Sequence, residues 1–262
     1  MPEAWVNGVR LYYELRGPEE GEPLVFVNGL LTDLNSWAQH VPAFEDKYRI
    51  LLYDARGQGR SEKPPGPYPI RQHAQDLAAL LDFLQIKRAN LVGLSNGGAA
   101  LLHLAIERPD LVKRLVVADG YSHVDAILEA KLEAWLAAAR ISSELRFLVA
   151  TPLVWSNRFL EENRGLFNYF KERAARFPRE AAVNLIAGAK EQDVSDRLGE
   201  IRAPVLIIVG EEDILTPVKH ARFMHERIPN SRLYIIPEAG HAAPIEQPEL
   251  FNRVVREFLE GE

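Results

Sequence analysis

Residues 89–107 constrain this chain more than any other stretch. An apolar run with Leu91, Val92 and Leu94 meets Ser95, and Asn96-Gly97-Gly98 leads directly into a helix-forming segment. A strand that becomes a helix at one residue forces that residue into an unusual backbone conformation. It also leaves no room for side chains two positions to either side. Glycine occupies both places in Gly93-Leu94-Ser95-Asn96-Gly97, which removes the colliding atoms and tolerates the required dihedrals. The serine hydroxyl is then held over the positive end of a helix dipole, where developing negative charge is stabilised. The alternative is a glycine-rich turn with an incidental serine. What decides between them is whether the chain also supplies a base and an acid.

The segments around this turn read as a parallel sheet. Residues 23–27 (Pro-Leu-Val-Phe-Val), 49–53, 112–118 and 204–209 are short continuous apolar runs, as strands buried on both faces require. Residues 9–15 are rich in β-formers and read as an edge strand after the Asn7-Gly8 turn, and residues 232–236 as a further strand. Helical segments fall between them at 36–44, 70–84, 217–228 and 246–260. The second of these carries Ala74, Leu77, Leu81 and Leu84 on one stripe. Strand alternating with helix predicts a doubly wound α/β sheet, with ligands at the carboxyl ends of the strands.

Between residues 122 and 195 the pattern changes. Helical segments rich in Ala, Leu, Glu and Arg carry Trp135, Phe147, Trp155, Phe159, Phe167, Tyr169 and Phe170, and no β-like run appears. This predicts a helical cap, 122–195, inserted into a core made of 1–121 and 196–262. For most of these aromatics, packing of the cap on itself is the simpler reading.

A serine nucleophile needs an imidazole within hydrogen-bond reach. Of the seven histidines, His40, His73 and His103 fall within helices, and His220 and His225 share a helix that reads as surface. His123 opens the cap and stays a candidate for the pocket. His241 is distinguished by following a strand in Pro237-Glu238-Ala239-Gly240-His241, so it is the expected base. Asp213, in the loop after the preceding strand, is the expected acid, with Glu211, Glu212 and Asp119 as rivals. The chain order is serine, acid, histidine. Backbone N–H groups of Leu30 and Asn96 are the expected oxyanion donors. Asn28, Leu31 and Trp155 are the expected substrate-binding residues.

Composition excludes several other chemistries. The chain has no cysteine, which removes disulfides, thiolate metal sites and cysteine nucleophiles together. A net charge of −6 without a basic block offers nothing to nucleic acid or an anionic membrane. The amino-terminal residues lack a secretory pattern and no apolar run reaches membrane length, so a cytoplasmic location is expected. Neither a metal nor a cofactor is expected, and the expected partner is a small molecule. Oligomeric state has no sequence signal here.

Together, Asn28-Gly29, the Asp54-to-Ser61 loop, Gly93-Leu94-Ser95-Asn96-Gly97-Gly98, Gly210-Glu211-Glu212-Asp213 and Gly240-His241 resemble the α/β-hydrolase superfamily. The first half is similar to 3-oxoadipate enol-lactonases and related esterases, through Asn28, Thr32, Asp33, Leu34 and Trp37. Glu246 to Phe251 also fits that group. The resemblance implies the α/β-hydrolase fold, with the cap after the sixth strand, and hydrolysis of carboxylic esters or lactones through an acyl-enzyme. Enol-lactone hydrolysis proper, perhydrolase or cofactor-free haloperoxidase activity, and carbon–carbon bond hydrolysis use the same triad. A ligand-binding relative without turnover is the reading from another class.

Overall fold

The computed structural model describes residues 2–261. Eight strands form one sheet: β1 (Glu3–Val6), β2 (Val9–Arg16), β3 (Glu22–Val27), β4 (Tyr48–Tyr53), β5 (Ala89–Leu94), β6 (Val112–Ala118), β7 (Val205–Gly210) and β8 (Ser231–Ile236). Their order is β1-β2-β4-β3-β5-β6-β7-β8. The first two pairings, β1 with β2 and β2 with β4, are antiparallel, and all the others are parallel.

The continuous apolar runs are explained by helices covering both faces. Successive strand residues point to opposite faces, and the core divides accordingly. Val25, Leu91, Val117 and Ile207 belong to one apolar cluster, which includes Leu77 and Leu81 of α1 (Ile70–Phe83) and Leu101 of α2 (Asn96–Glu107). Phe26, Val92, Val116 and Ile208 belong to the other, with Trp37, Phe44 and the Phe251, Val255 and Phe258 stripe of α10 (Pro248–Glu260). Each such side chain stabilises the fold by roughly 1.5–3 kcal/mol of removed water contact.

After β6 the chain runs through five consecutive helices: α3 (Ala126–Ile141), α4 (Ser143–Val154), α5 (Asn157–Glu162), α6 (Leu166–Arg176) and α7 (Arg179–Ala189). It returns to the sheet at β7. Asp125, Ser142 and Ser156 cap three of these helices by accepting the N–H of Leu128, Leu145 and Phe159. α8 (Val218–Arg227) joins β7 to β8, and the short α9 (Ala243–Glu246) precedes α10. No helix among the described residues is long and apolar enough to cross a membrane.

Several sequence expectations are corrected. The strand at 9–15 is not the edge, because Glu3–Val6 pairs along it through a hairpin at Asn7 (φ 49°) and Gly8 (φ 69°). Residues 36–44 form no continuous helix. Two 3₁₀ turns, Leu34–Trp37 and Val41–Ala43, stand there instead. The last helix is broken ahead of Pro248, which has no N–H to continue it from α9. His220 is buried rather than on the surface.

His40 and His73 are buried, and burial pulls both down to about 4. Neither ring nitrogen of His73 has a hydrogen-bond partner among the described residues. The unfolded chain, with histidines near the ordinary 6.5, takes up these protons before the native state does. Their contribution is therefore complete above about pH 6.5 and drains as pH falls toward 4, by about 3 kcal/mol for each. Urea midpoints are expected to fall steeply over that window. The His73→Leu variant, which gives up no hydrogen bond, is expected to flatten the decline and to be no less stable at pH 7.5; an unchanged slope would contradict this account.

Candidate active site

Ser95 connects β5 to α2 with φ 53° and ψ −115°. A Cβ on Gly93 would lie 2.7 Å from the backbone of Gly97 and Gly98, and one on Gly97 would lie 2.4 Å from the Val27 carbonyl oxygen. The two glycines therefore permit the turn by having no side chain. The Ser95 N–H donates to the Ala118 carbonyl at 2.7 Å, which ties the turn to the end of β6.

His241 lies between β8 and α9. Its Nε2 is 2.8 Å from Ser95 Oγ and its Nδ1 is 2.9 Å from Asp213 Oδ2, all three residues being buried. With a proton assigned to Nδ1, the imidazole donates to Asp213 and accepts from the serine hydroxyl. Asp213 Oδ1 accepts the N–H groups of Leu215 (2.8 Å) and Thr216 (2.9 Å). The Thr216 hydroxyl lies 2.9 Å from Asp213 Oδ2 and from the Asp119 carbonyl, and 3.1 Å from His241 Nδ1.

The rival acids are directed elsewhere. Glu211 accepts the Glu238 N–H, and Glu212 is exposed. Asp119 is fully buried and accepts from Gly210 N at 2.8 Å and Ala243 N at 3.2 Å. Burial first, and then the charge of Asp213, hold its carboxyl well above the usual carboxylate range. His123 is not at the site; its ring packs on Phe223 (4.6 Å) and His220 (5.5 Å).

A cavity of about 110 Å³ opens over Ser95. Leu30, Asn96, Tyr121 and Thr216 line it from the core, and Leu128, Leu132, Trp135, Val154 and Trp155 from the helices after β6. Asn96 begins α2, so its N–H is among those a helix leaves without an intrahelical acceptor. The loop carrying Leu30 is pinned on both sides. Thr32 Oγ1 donates to the Gly29 carbonyl, Thr32 N to Gln58 Oε1, and Leu34 N to Asp54 Oδ1.

The expected substrate contacts divide. Trp155 is on the cavity wall, stacked between Phe159 (4.6 Å) and Phe170 (5.1 Å). Leu31 lies instead in an adjoining groove, at φ 61°. Asn28 lines neither space. Its amide donates to the Tyr53 carbonyl and accepts from Trp37 Nε1, which commits it to bracing the loop.

Sequence reading gave Thr216, Tyr121, Trp135 and Glu246 no role at the site. The Asp213-to-Thr216 spacing is a local signal of a side chain closing on its own backbone. Tyr121 donates to Asn96 Oδ1 at 2.7 Å, and burial keeps its phenol protonated. Glu246 accepts from Ser156 N (3.0 Å), Ser156 Oγ (2.6 Å) and Gly240 N (3.2 Å), joining the helical insertion to the loop of His241. No cluster of potential metal ligands occurs among the described residues.

A mostly parallel sheet carries, at one edge, a strained serine between glycines with an imidazole on its hydroxyl. Residues 22–248 match the model of the alpha/beta hydrolase fold, and the chain belongs to that family. It is 33% identical to 3-oxoadipate enol-lactonase 2 of Acinetobacter baylyi, across 96% of this chain and 93% of that one. Among solved structures, it matches an alpha/beta hydrolase enzyme from a Medee basin deep-sea metagenome library with a TM-score of 0.94. Identity there is 28%, over 100% of this chain and 98% of that one. It matches the enol-lactonase from Burkholderia xenovorans with a TM-score of 0.91, at 28% identity over 99% of this chain and 100% of the other. The chain is an enzyme, a hydrolase of small molecules.

Gly97→Ala tests the turn. Its Cβ would press on the carbonyl oxygens of Val27 and Asn28, at 2.4 and 2.6 Å, so the strand leading to the Leu30 loop must shift. A loss of about 1–3 kcal/mol in thermal stability is expected, together with loss of turnover. Wild-type values for both would contradict the close packing.

Proposed function

We propose that this enzyme is a serine hydrolase that cleaves carboxylic esters or lactones through an acyl-enzyme. The observation that carries the reading is the continuous hydrogen-bonded line from Ser95 Oγ through His241 to Asp213, at 2.8 and 2.9 Å, beneath a mainly apolar cavity. Ser95 Oγ attacks the carbonyl carbon while its proton passes to His241 Nε2. Asp213 holds the imidazole in the receptive tautomer and stabilises the imidazolium. The N–H groups of Leu30 and Asn96 receive the oxyanion. Collapse expels the alkoxide, which takes the proton from His241; in a lactone the freed hydroxyl remains tethered to the acyl group. Water then repeats the sequence, giving its proton to His241, and returns Ser95 with its hydroxyl restored. Protein groups and water suffice for every step.

Lactones are favoured alongside esters because the relatives at 33% and 28% identity are named enol-lactonases. We assign 122–195 as the cap that selects the substrate, since Leu128, Leu132, Trp135 and Trp155 form one side of the cavity.

A fluorophosphonate is expected to label wild-type protein at Ser95 and to leave the Ser95→Ala variant unlabelled. Asp213→Asn is expected to keep the fold and lower kcat on an aryl ester by roughly 10³- to 10⁴-fold, since it presents the wrong tautomer. Folded wild-type protein that resists the label would overturn the reading.

A further inference from the structure

Beyond the cavity over Ser95 lies a larger groove of about 920 Å³. The two spaces share Thr32, Trp155 and Ile245 as walls. Cations line the groove, and most are already engaged. Arg173 pairs with Asp33 at 2.6 Å, Arg158 with Glu238 at 2.5 Å, and Lys63 donates to the carbonyls of Gly59 and Ser61.

Arg146 is different. It sits in the first half of α4, is only 4% exposed, and nonetheless lines the groove. Among the described residues its guanidinium makes a single hydrogen bond, from Nη2 to the Ala174 carbonyl at 2.6 Å, and lies 5.5 Å from the centre of the Phe177 ring. Its buried Nε has no partner, and no carboxylate among the described residues forms an ion pair with it. Arginine keeps its charge in proteins and offers five N–H donors in a planar fork. A buried charge without a counter-charge is costly. An arginine placed so, on the wall of an open groove, is completed by an anion with two oxygens in one plane. Arg176, exposed on the same wall, adds positive charge at the surface.

We propose that Arg146 is a specificity-determining residue that anchors the carboxylate of a substrate arm, whose reacting ester or lactone carbonyl lies on Ser95. The proposal rests on the serine-hydrolase reading for the reacting end. Trp155, stacked between Phe159 and Phe170, separates the inner cavity from the groove, so the arm that passes it is apolar and the charge stands at its far end. A monoanion fits better than a phosphate dianion, because Glu162, Glu246 and Glu249 also line the groove. The small cavity alone cannot accommodate such a molecule; it takes the carbonyl and leaves the arm to the groove.

The test compares 4-nitrophenyl hemiesters of α,ω-diacids, from succinate to sebacate, with the corresponding methyl-capped diesters. At the chain length that reaches Arg146, the free acid is expected to exceed its methyl ester in kcat/KM by about tenfold or more, mainly through KM. Arg146→Gln is expected to abolish that ratio, and Arg146→Lys, which keeps the charge but not the fork, to retain part of it. Arg164→Gln, an exposed arginine outside both spaces, is expected to keep the wild-type ratio. The same acid-to-ester ratio in wild type and Arg146→Gln at every length would overturn the proposal. Should Arg146→Gln fail to fold, an unchanged ratio in Arg146→Lys would overturn it too. If no ester in either series is hydrolysed, the hydrolase reading fails, and calorimetric titration of suberate into wild type and Arg146→Gln decides the anion site separately. Binding lost in the variant supports it; equal binding, or none by the wild type, overturns it.

Discussion

The backbone of Ser95 is the constraint on which the rest of this structure depends. A non-glycine residue at φ 53° and ψ −115° stores strain of the order of 1–3 kcal/mol, and it persists only because its surroundings allow no alternative. β5 is buried along its whole length, α2 starts at the next residue, and the Ser95 N–H is fixed to Ala118. The parallel sheet then does the rest. Because β3, β5, β6, β7 and β8 run in one direction, their carboxyl ends share one edge. The loops bearing Leu30, Ser95, Asp119, Asp213 and His241 therefore meet there, although they are far apart in the chain.

Two buried carboxylates at that edge divide their roles through solvation. Asp213 receives two backbone N–H groups, a threonine hydroxyl within reach and the imidazole. Asp119 is fully buried and accepts two backbone N–H groups. Close like charges in a poorly solvated site disfavour double ionisation. Burial and the neighbouring charge of Asp213 therefore hold the Asp119 carboxyl well above the usual carboxylate range. Asp119 bridges the loop of Asp213, through Gly210, and the loop of His241, through Ala243. The hydroxyl of Thr216 spans the same gap from the other side.

What the sequence made legible follows from how local each signal is. Continuous apolar runs bounded by turns identified β3 to β7, because burial on both faces leaves no other composition for a short strand. The glycines around Ser95 were legible because sterics there admit no other residue. Asp213 and His241 could be named from their place after successive strands, and the structure brings them to Ser95. Asn28 was misread as a substrate contact because a loop asparagine looks the same in sequence whether it faces a ligand or braces a turn. Only the fold shows that Tyr53 and Trp37 occupy it. β1 went unseen for a similar reason: four residues alternating in burial carry too little pattern by themselves. The buried state of His220 depends on long-range packing that no window of sequence records.

The helical insertion was the least legible part, and its attachment explains why. Its helices are held by contacts that leave little trace in sequence, such as the stacked Trp155, Phe159 and Phe170. Yet one end is not free to vary. Gly240 lies so close to the turn between α4 and α5 that a Cβ there would stand 2.6 Å from Ser156 N. Glu246 closes the same junction from below, and the Ala242 N–H donates to the Val154 carbonyl at 3.2 Å. The residues on either side of His241 are thus stitched to the insertion by backbone contacts. This separates two parts of the insertion by physical role. The α4–α5 junction shares the geometry of His241 and must stay in place for the imidazole to reach Ser95. The groove that α4 and α6 line includes none of Ser95, Asp213 and His241 among its walls. In the proposed reading of the insertion as a cap that selects the substrate, that choice rests on side chains outside the proposed proton-transfer geometry, and that freedom is what makes this part of the sequence hard to read.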